Sequence, residues 1–254
     1  MTYSIYGSGV TQVGETSYLT TARNEHRNGT SHGVIVLHGH NGSSLQSTVA
    51  TSGFGAHVQA LADAGIMVLA IDAGGPVAWS SPAAMTAITS AYTWLTGAGG
   101  AHSGKVGLFG WSMGGLTALN WLKRNPSLVA GTWLWAPCSD LDWARPTAGY
   151  TPAYATGGVN GAWQTEIDAA FGSYAATAGY RVRDEYSTWT GKGPIRIAHA
   201  NNDTTVPIGQ STAFIAGVAD ATVTQRVVTT GDHTGVMDQV PTSETVAFFS
   251  AAAW

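Results

Sequence analysis

The chain has few residues of several types, and each shortage excludes a class of protein. Its single cysteine, Cys138, cannot form a disulfide within the chain. Only 10% of the 254 residues are charged, the net charge is −4, and like charges form no block. This pattern argues against nucleic acid or an anionic membrane surface as a partner. No apolar run reaches the roughly 18 residues of a spanning helix, so no membrane span is expected.

Two further shortages concern export and thiol chemistry. The first residues, Met1 to Ser4, contain neither a basic nor an apolar segment, which predicts no signal peptide. The compartment stays open between the cytoplasm and export by another route. Cys138 follows an apolar run and has no neighbouring base, so a buried structural thiol is expected rather than a nucleophile.

Apolar residues, glycine and tryptophan are plentiful. The composition is 44% hydrophobic, with 33 Gly and 10 Trp. A chain of this length can bury a full core and fits one domain over residues 1–254. Most of the Trp rings are expected to pack the core. Some could line an apolar or carbohydrate-rich substrate surface.

Apolar runs and helical patterns alternate along the chain. Strands are predicted at 3–6, 17–23, 33–38, 67–71, 105–109, 132–136, 194–199 and 223–228, and helices at 54–64, 82–96, 116–124, 210–217 and 241–252. This alternation predicts an α/β fold with a mostly parallel, twisted sheet and helices on both faces. Residues 139–193 are rich in Gly, Tyr, Thr and Ala, and they predict a small aromatic-rich, cap-like insertion over the sheet edge.

The sequence Gly-Trp-Ser-Met-Gly at 110–114 matches the G-x-S-x-G pattern. A sharp strand-to-helix turn lifts the serine hydroxyl above the sheet and crowds its neighbours, which must therefore be glycine. In a glycine-rich chain the pattern alone is weak, but a predicted strand precedes it and a predicted helix follows it. Ser112 is therefore the candidate nucleophile, and the Met113 N–H is a candidate oxyanion donor.

A second oxyanion donor is expected in the loop after the strand at 33–38. The His40 N–H is the first candidate and Asn41 the second, because Gly39 and Gly42 allow the backbone to approach a substrate. A plain turn is the alternative. Two histidines, His38 and His40, make a poor zinc site without a third ligand, so no metal is expected.

Asp203 is the candidate acid. Its loop follows the strand at 194–199, at the sheet edge where ligands gather in parallel sheets. Asp140 and Asp142, after the strand at 132–136, are the alternatives. Asp203 is preferred because its loop precedes the last strand–helix unit and the candidate histidine loop.

His233 is the candidate base among the eight histidines. It lies in the Gly-flanked loop 231–235 and follows both the candidate serine and the candidate acid. The chain order Ser, Asp, His differs from the orders in chymotrypsin-like and subtilisin-like enzymes. His57 is expected at the surface, and His199 is expected to be structural.

These motifs together resemble the α/β-hydrolase superfamily. They are Gly-Trp-Ser-Met-Gly-Gly at 110–115, His-Gly-His-Asn-Gly at 38–42, Asp-Thr-Thr-Val-Pro at 203–207 and Gly-Asp-His at 231–233. The resemblance runs from about residue 33 to the C-terminus. Within the superfamily the chain looks most like small bacterial serine esterases of the dienelactone-hydrolase-like or polyester-hydrolase-like groups.

The chain departs from both groups. It has Ser112 where dienelactone hydrolases have cysteine, and it lacks the C-terminal disulfide pair of secreted polyester hydrolases. The resemblance implies hydrolysis of an acyl substrate through an acyl-enzyme on Ser112, with His233 as base and Asp203 orienting it. The serine-hydrolase chemistry of these motifs implies no organic cofactor either. A peptidase or amidase, acyl transfer or lyase chemistry, and a non-catalytic carbohydrate-binding surface component stay as alternatives.

The expected substrate is a small-molecule or polymeric ester of short-to-medium acyl chain. Trp111, Trp79 and Asn41 are the candidate substrate-binding residues, together with at least one aromatic ring of the insertion. The insertion has no long amphipathic helix to serve as an interfacial lid, which argues against long-chain triglycerides. The sequence leaves the oligomeric state open.

Overall fold

A computed structural model of the protein describes residues 10–13, 16–20, 29–44, 53–102, 104–146, 150, 152, 154, 161–189, 191–218 and 220–254. These described residues include eight strands, which form one sheet. They are β1 (Val10–Val13), β2 (Thr16–Thr20), β3 (Gly33–Leu37), β4 (Met67–Ile71), β5 (Val106–Trp111), β6 (Val129–Trp135), β7 (Ile195–Ala200) and β8 (Val223–Val228). Their spatial order is β1-β2-β4-β3-β5-β6-β7-β8.

Strands β3 to β8 are all parallel, whereas β1 and β2 pair antiparallel at one edge. The carboxyl ends of the six parallel strands therefore meet at one edge of the sheet, where the loops after β3, β5, β7 and β8 come together. The predicted mostly parallel sheet is confirmed.

Among the described residues, eight α-helices connect and cover the strands. They are α1 (Gly53–Asp63), α2 (Pro82–Thr96), α3 (Met113–Arg124), α4 (Leu141–Ala144), α5 (Gln164–Phe171), α6 (Gly209–Val218), α7 (Val236–Gln239) and α8 (Thr242–Ser250). Helices α1 and α8 pack together on one face, and α2 and α3 pack together on the other.

The continuous apolar runs of the parallel strands are explained by burial on both faces. In β3, Val34 and Val36 join the core beneath α1 and α8, whereas Ile35 and Leu37 join the core beneath α2 and α3. All four side chains are fully buried. Neighbouring residues of a strand point to opposite faces, so a strand covered by helices on both sides needs apolar residues at every position.

The N-terminal edge differs from the prediction. The expected strand at 3–6 lies outside the described residues, and the one at 17–23 corresponds to Thr16–Thr20. Strand Val10–Val13 was not predicted. It pairs antiparallel with Thr16–Thr20, which in turn pairs antiparallel with β4.

The segment between β6 and β7 contains α4, α5 and the 3₁₀ helices Ala175–Thr177 and Val182–Thr188, and it has no strand among its described residues. Trp143, Ile167 and Trp189 of this segment are buried in the core that includes α2 and α3. Most of its described aromatic rings therefore pack the segment onto the rest of the fold. In the described part of the chain, no helix has the length and apolarity needed to cross a membrane.

His57 lies in the core, so its predicted surface position is wrong. It is 2% exposed on α1. Its Nδ1 lies 2.7 Å from the Thr245 Oγ1, and its Nε2 lies 3.2 Å from the Met237 carbonyl oxygen. Burial lowers the pKa of His57 from 6.5 to about 4, and hydrogen bonding to the Met237 carbonyl opposes that shift only in part.

Acid is therefore expected to destabilise the fold through His57. Between about pH 6.5 and pH 4 the unfolded chain binds a proton at this histidine and the folded chain does not. The free energy of unfolding falls as the pH is lowered through this window, by at most about 3 kcal/mol from this group. Urea unfolding at several pH values measures the fall.

The variant His57→Asn is expected to have a weaker pH dependence than the wild type over this window. The matched control is His102→Gln, because His102 is exposed. An unchanged pH dependence in His57→Asn would contradict the assignment.

Candidate active site

Ser112 lies at the turn between β5 and α3. Its backbone has φ 55° and ψ −117°, a strained conformation for a residue with a side chain. The Ser112 N–H donates to the Trp135 carbonyl at 2.9 Å, and the Ser112 carbonyl accepts from the Cys138 N–H at 3.1 Å. These backbone bonds to the neighbouring strand and its following loop hold the strained turn in place.

The glycines of the motif are required by close backbone contacts. A Cβ atom at Gly114 would overlap the carbonyl oxygens of Leu37 and His38. A Cβ atom at Gly110 would overlap the Gly114 carbonyl. The first contact also shows that the loop after β3 lies directly against the first turn of α3.

The structure brings the three candidate residues together. The His233 Nε2 lies 2.9 Å from the Ser112 Oγ, and the His233 Nδ1 lies 2.7 Å from the Asp203 Oδ2. Since a carboxylate only accepts, Nδ1 carries the proton and Nε2 is free to accept the serine hydroxyl. Relative exposures are 7% for Ser112, 9% for His233 and 7% for Asp203. The arrangement can therefore move a proton from Ser112 to His233.

Asp203 is held as an anion. Its Oδ1 accepts the N–H groups of Thr205 and Val206, both at 2.8 Å. Burial alone would raise the pKa of Asp203, but hydrogen bonding to His199 and His233 outweighs burial and holds this pKa well below its usual range.

The rival acids lie elsewhere. The Asp140 carboxylate caps α4 through the Asp142 N–H at 3.0 Å and accepts the hydroxyls of Tyr150 and Tyr154. The Asp142 carboxylate accepts the Tyr174 hydroxyl at 2.7 Å. Both side chains are thus bonded within the segment after β6.

The loop after β3 contains the two candidate oxyanion donors, the N–H groups of His40 and Asn41. The Asn41 N–H donates to the Pro76 carbonyl at 2.9 Å, and the Gly42 N–H donates to the Gly39 carbonyl at 3.0 Å. The His40 N–H has no such backbone acceptor in the described part of the chain. Asn41, the second candidate donor, is therefore already engaged in this structure.

Glu166 of α5 joins the segment after β6 to this loop, a contact that sequence reasoning missed. Its Oε2 lies 2.6 Å from the His40 Nε2 and accepts the Trp79 indole N–H at 3.2 Å. The Trp163 ring lies 5.7 Å from His40 and 5.1 Å from Trp79, measured between centroids. Trp79 is 1% exposed, so its ring packs the base of this cluster.

Trp111 lies beside His233. Its indole N–H donates to the His233 carbonyl at 3.3 Å, and the two ring centroids are 5.7 Å apart. The Trp111 ring also borders a pocket of about 270 Å³, whose other walls include Phe54, Thr234 and Met237. Of the aromatic residues predicted to face a substrate, Trp111 has the most direct contact with His233.

The described residues contain no group of three or more His, Cys, Asp or Glu side chains that could hold a metal ion. His38 and His40, the pair considered as ligands, bond elsewhere. The ring nitrogens of His38 lie 2.7 and 3.0 Å from the carbonyl oxygens of Gly39 and Asp72.

The sequence profile of the prolyl oligopeptidase family (Peptidase_S9) matches residues 84–251, more than half of the chain. The chain belongs to the prolyl oligopeptidase family. The matched range runs from α2 to the end of α8 and includes Ser112, Asp203 and His233. This member of the prolyl oligopeptidase family is therefore a serine hydrolase.

Solved structures similar to this prolyl oligopeptidase family member share its α/β-hydrolase fold. An esterase from Pyrococcus furiosus has a TM-score of 0.68 and 18% identity, over 97% of this chain and 92% of that one. The protein Est1E from Butyrivibrio proteoclasticus has a TM-score of 0.66 and 15% identity, over 96% and 98%. These identities establish the fold and no more.

A candidate dipeptidyl aminopeptidase IV from Bacteroides ovatus has a TM-score of 0.68 and 14% identity. The match covers 97% of this chain and 35% of that one, so the prolyl oligopeptidase family member spans about a third of it. None of the curated proteins matches the chain significantly.

Proposed function

We propose that the protein hydrolyses carboxylic esters of short-to-medium acyl chain through an acyl-enzyme on Ser112. The observation that carries the proposal is the hydrogen-bonded series Ser112 Oγ, His233 Nε2, His233 Nδ1 and Asp203 Oδ2, with distances of 2.9 and 2.7 Å. In this proposal His233 accepts the serine proton as Oγ attacks the acyl carbonyl, and Asp203 stabilises the resulting imidazolium. The imidazolium gives this proton to the leaving alcohol oxygen as the ester C–O bond breaks. Neutral His233 then takes a proton from the water that attacks the acyl-enzyme and passes it to the Ser112 Oγ as the acid leaves.

The N–H groups of Met113 and His40 are the proposed oxyanion donors. Met113 is the first residue of α3, where backbone N–H groups have no partner inside the helix. Contact of Gly114 with the loop after β3 supports a donor from that loop close to Ser112. The bond between the His40 ring and Glu166 supports a fixed position for this loop. Each donor contributes about 3–4 kcal/mol to lowering the barrier in comparable sites.

The preference for a short acyl chain is supported by the segment after β6. The pocket of about 270 Å³ beside Trp111 does not carry this proposal, because Ser112, His233 and the two proposed oxyanion donors are not among its lining residues. The described helices of that segment have at most eight residues, too short for an interfacial lid. We further propose a single domain with residues 139–193 as its cap, and Trp111 and Asn41 beside the substrate. Trp79, the other candidate, is buried and supports the His40 ring from below.

A peptidase or amidase is the second candidate, and the family name favours it. The same serine, histidine and oxyanion donors would attack an amide carbonyl. An amide differs in its poorer leaving group, which must receive a proton from His233 before it departs.

A panel of p-nitrophenyl esters from acetate to palmitate, with a matched p-nitroanilide, tests the proposal. We expect kcat/KM for acetate to octanoate to exceed that for palmitate by at least about tenfold, the discrimination that one misfitting methylene can supply. We expect the anilide to be slower than the ester of the same acyl group.

Ser112→Ala supplies the background rate of each substrate. A steep rise in rate at a lipid–water interface, with preference for the longest acyl chains, would identify a lipase and contradict the chain-length proposal. Faster cleavage of the anilide would favour the peptidase.

A further inference from the structure

A second histidine, His199, lies against the candidate acid. It is the next-to-last residue of strand β7, four residues before Asp203, and it is 0% exposed. Its Nε2 lies 3.2 Å from the Asp203 Oδ2, the same oxygen that accepts the His233 Nδ1–H. The carboxylate oxygen therefore lies between two imidazole rings.

The remaining contacts of His199 fix which of its nitrogens carries a proton. The single hydrogen of Nε2 is shared, because the Val206 carbonyl oxygen accepts it at 2.8 Å and the Asp203 Oδ2 lies beside it at 3.2 Å. Neither oxygen can donate, so Nε2 must carry a hydrogen. On the other side of the ring, Nδ1 lies 2.7 Å from the hydroxyl of Ser211, which is 0% exposed. That contact prevents the ring from turning.

Asp203 thus has donors at both oxygens. Oδ1 accepts the backbone N–H groups of Thr205 and Val206, and Oδ2 faces the N–H groups of His233 and His199. The backbone bonds fix one end of the carboxylate. Without His199, His233 would be the only side chain in contact with Oδ2, and this oxygen could tilt away from its position whenever that imidazole moves.

We propose that His199 is a positioning residue, whose Nε2–H holds the Asp203 carboxylate in the plane and orientation that His233 requires during turnover. This proposal rests on the proposed function, because Asp203 and His233 have these roles only in the hydrolase mechanism. Among the groups that lower the pKa of Asp203 against the effect of burial, hydrogen bonding to His199 is the largest. A buried histidine that only filled space would not lower the pKa of the Asp203 carboxyl.

The test compares His199→Leu with His199→Gln. Leucine fills the space without a donor, whereas the glutamine amide nitrogen is as many bonds from Cα as the histidine Nε2 and can donate to Asp203. Against p-nitrophenyl acetate, we expect His199→Leu to lower kcat by about 10- to 100-fold, since small errors of orientation have effects of this size. KM should change little, because His199 does not touch the substrate. His199→Gln should recover most of kcat.

The rate at which a fluorophosphonate labels Ser112 is a second readout that does not depend on the choice of ester. It should fall in parallel with kcat. A folded His199→Leu with wild-type kcat and labelling rate would overturn the proposal, as would a folded His199→Gln that is as slow as His199→Leu. If the wild type and Ser112→Ala are labelled equally, the proposed function itself fails, whatever the His199 variants do.

A measurement on proteins that keep His199 decides the case in which His199→Leu does not fold. Nitrogen NMR of protein labelled with ¹⁵N-histidine reports which ring nitrogen of each histidine is protonated. A protonated His199 Nε2 whose ¹⁵N shift changes in Asp203→Asn supports the proposal, because the Val206 carbonyl is the same in both proteins. An unprotonated Nε2 could not donate to Asp203 and would overturn it.

Discussion

Replacing Ser112 by alanine is expected to lower kcat for p-nitrophenyl butyrate by about 10⁴- to 10⁶-fold, as in other enzymes that lose the nucleophile of such a triad. In the wild type the Ser112 Oγ lies 2.9 Å from the His233 Nε2, and no other nucleophile of the described site has such a contact. The fold should survive, because the lost group is a single hydroxyl at a loop–helix junction. Steady-state kinetics and a thermal unfolding curve measure the two effects.

The matched control for this variant is Ser139→Ala, which removes a buried hydroxyl that donates to the Gln210 carbonyl and does not touch the candidate nucleophile or base. It should keep far more activity than Ser112→Ala. A Ser112→Ala protein that retains activity within tenfold of the wild type, with contaminating esterases excluded, would contradict the assignment of the nucleophile. Covalent labelling by a fluorophosphonate should also be lost, which distinguishes an enzyme from a binding protein with the same fold.

Replacing Asp203 by asparagine is expected to lower kcat by about 10⁴-fold. The asparagine has the size of the aspartate, but its amide group can donate a hydrogen bond to the His233 Nδ1. That bond stabilises the tautomer with the proton on Nε2, which cannot accept the serine hydroxyl. The loss should therefore appear in kcat, with the thermal unfolding midpoint as a check on folding.

Asp140→Asn is the matched control, since Asp140 is as buried as Asp203 but bonds to Tyr150 and Tyr154. This variant should lose stability, because two tyrosine hydroxyls and a helix cap depend on its carboxylate. The kcat of its folded fraction should stay close to that of the wild type. If Asp140→Asn were inactive and Asp203→Asn active, the acid would belong to the loop after β6.

Much of the parallel sheet could be predicted because its strands have a local signal. Continuous β-branched and apolar runs such as those of β3 and β4 are typical of strands buried on both faces, and the fold class is confirmed. Strand Val10–Val13 was missed because it is short and has a mixed sequence, Val-Thr-Gln-Val. Antiparallel pairing with Thr16–Thr20 at the sheet edge stabilises this strand, and the hydrophobic pattern of its own residues does not reveal that pairing.

The three candidate catalytic residues could be named from the sequence because each follows a recognisable strand. Ser112, Asp203 and His233 lie after β5, β7 and β8, and the carboxyl ends of parallel strands share one edge. The structure brings them within hydrogen-bonding distance, and their catalytic roles stay predictions until the variants are measured. Glu166 could not be found in this way, since it is 126 positions from His40 and belongs to no motif.

The sequence by itself determined the strand–helix alternation, the glycines around Ser112 and the order of the three candidate residues, because these depend on neighbours along the chain. Only the tertiary structure decided which side chains surround them. His57 is buried against Thr245, 188 positions away. His199 contacts Asp203 because the loop that joins them folds back on itself. Such contacts depend on how strands and helices pack, and local periodicity carries no information about packing partners distant in the chain.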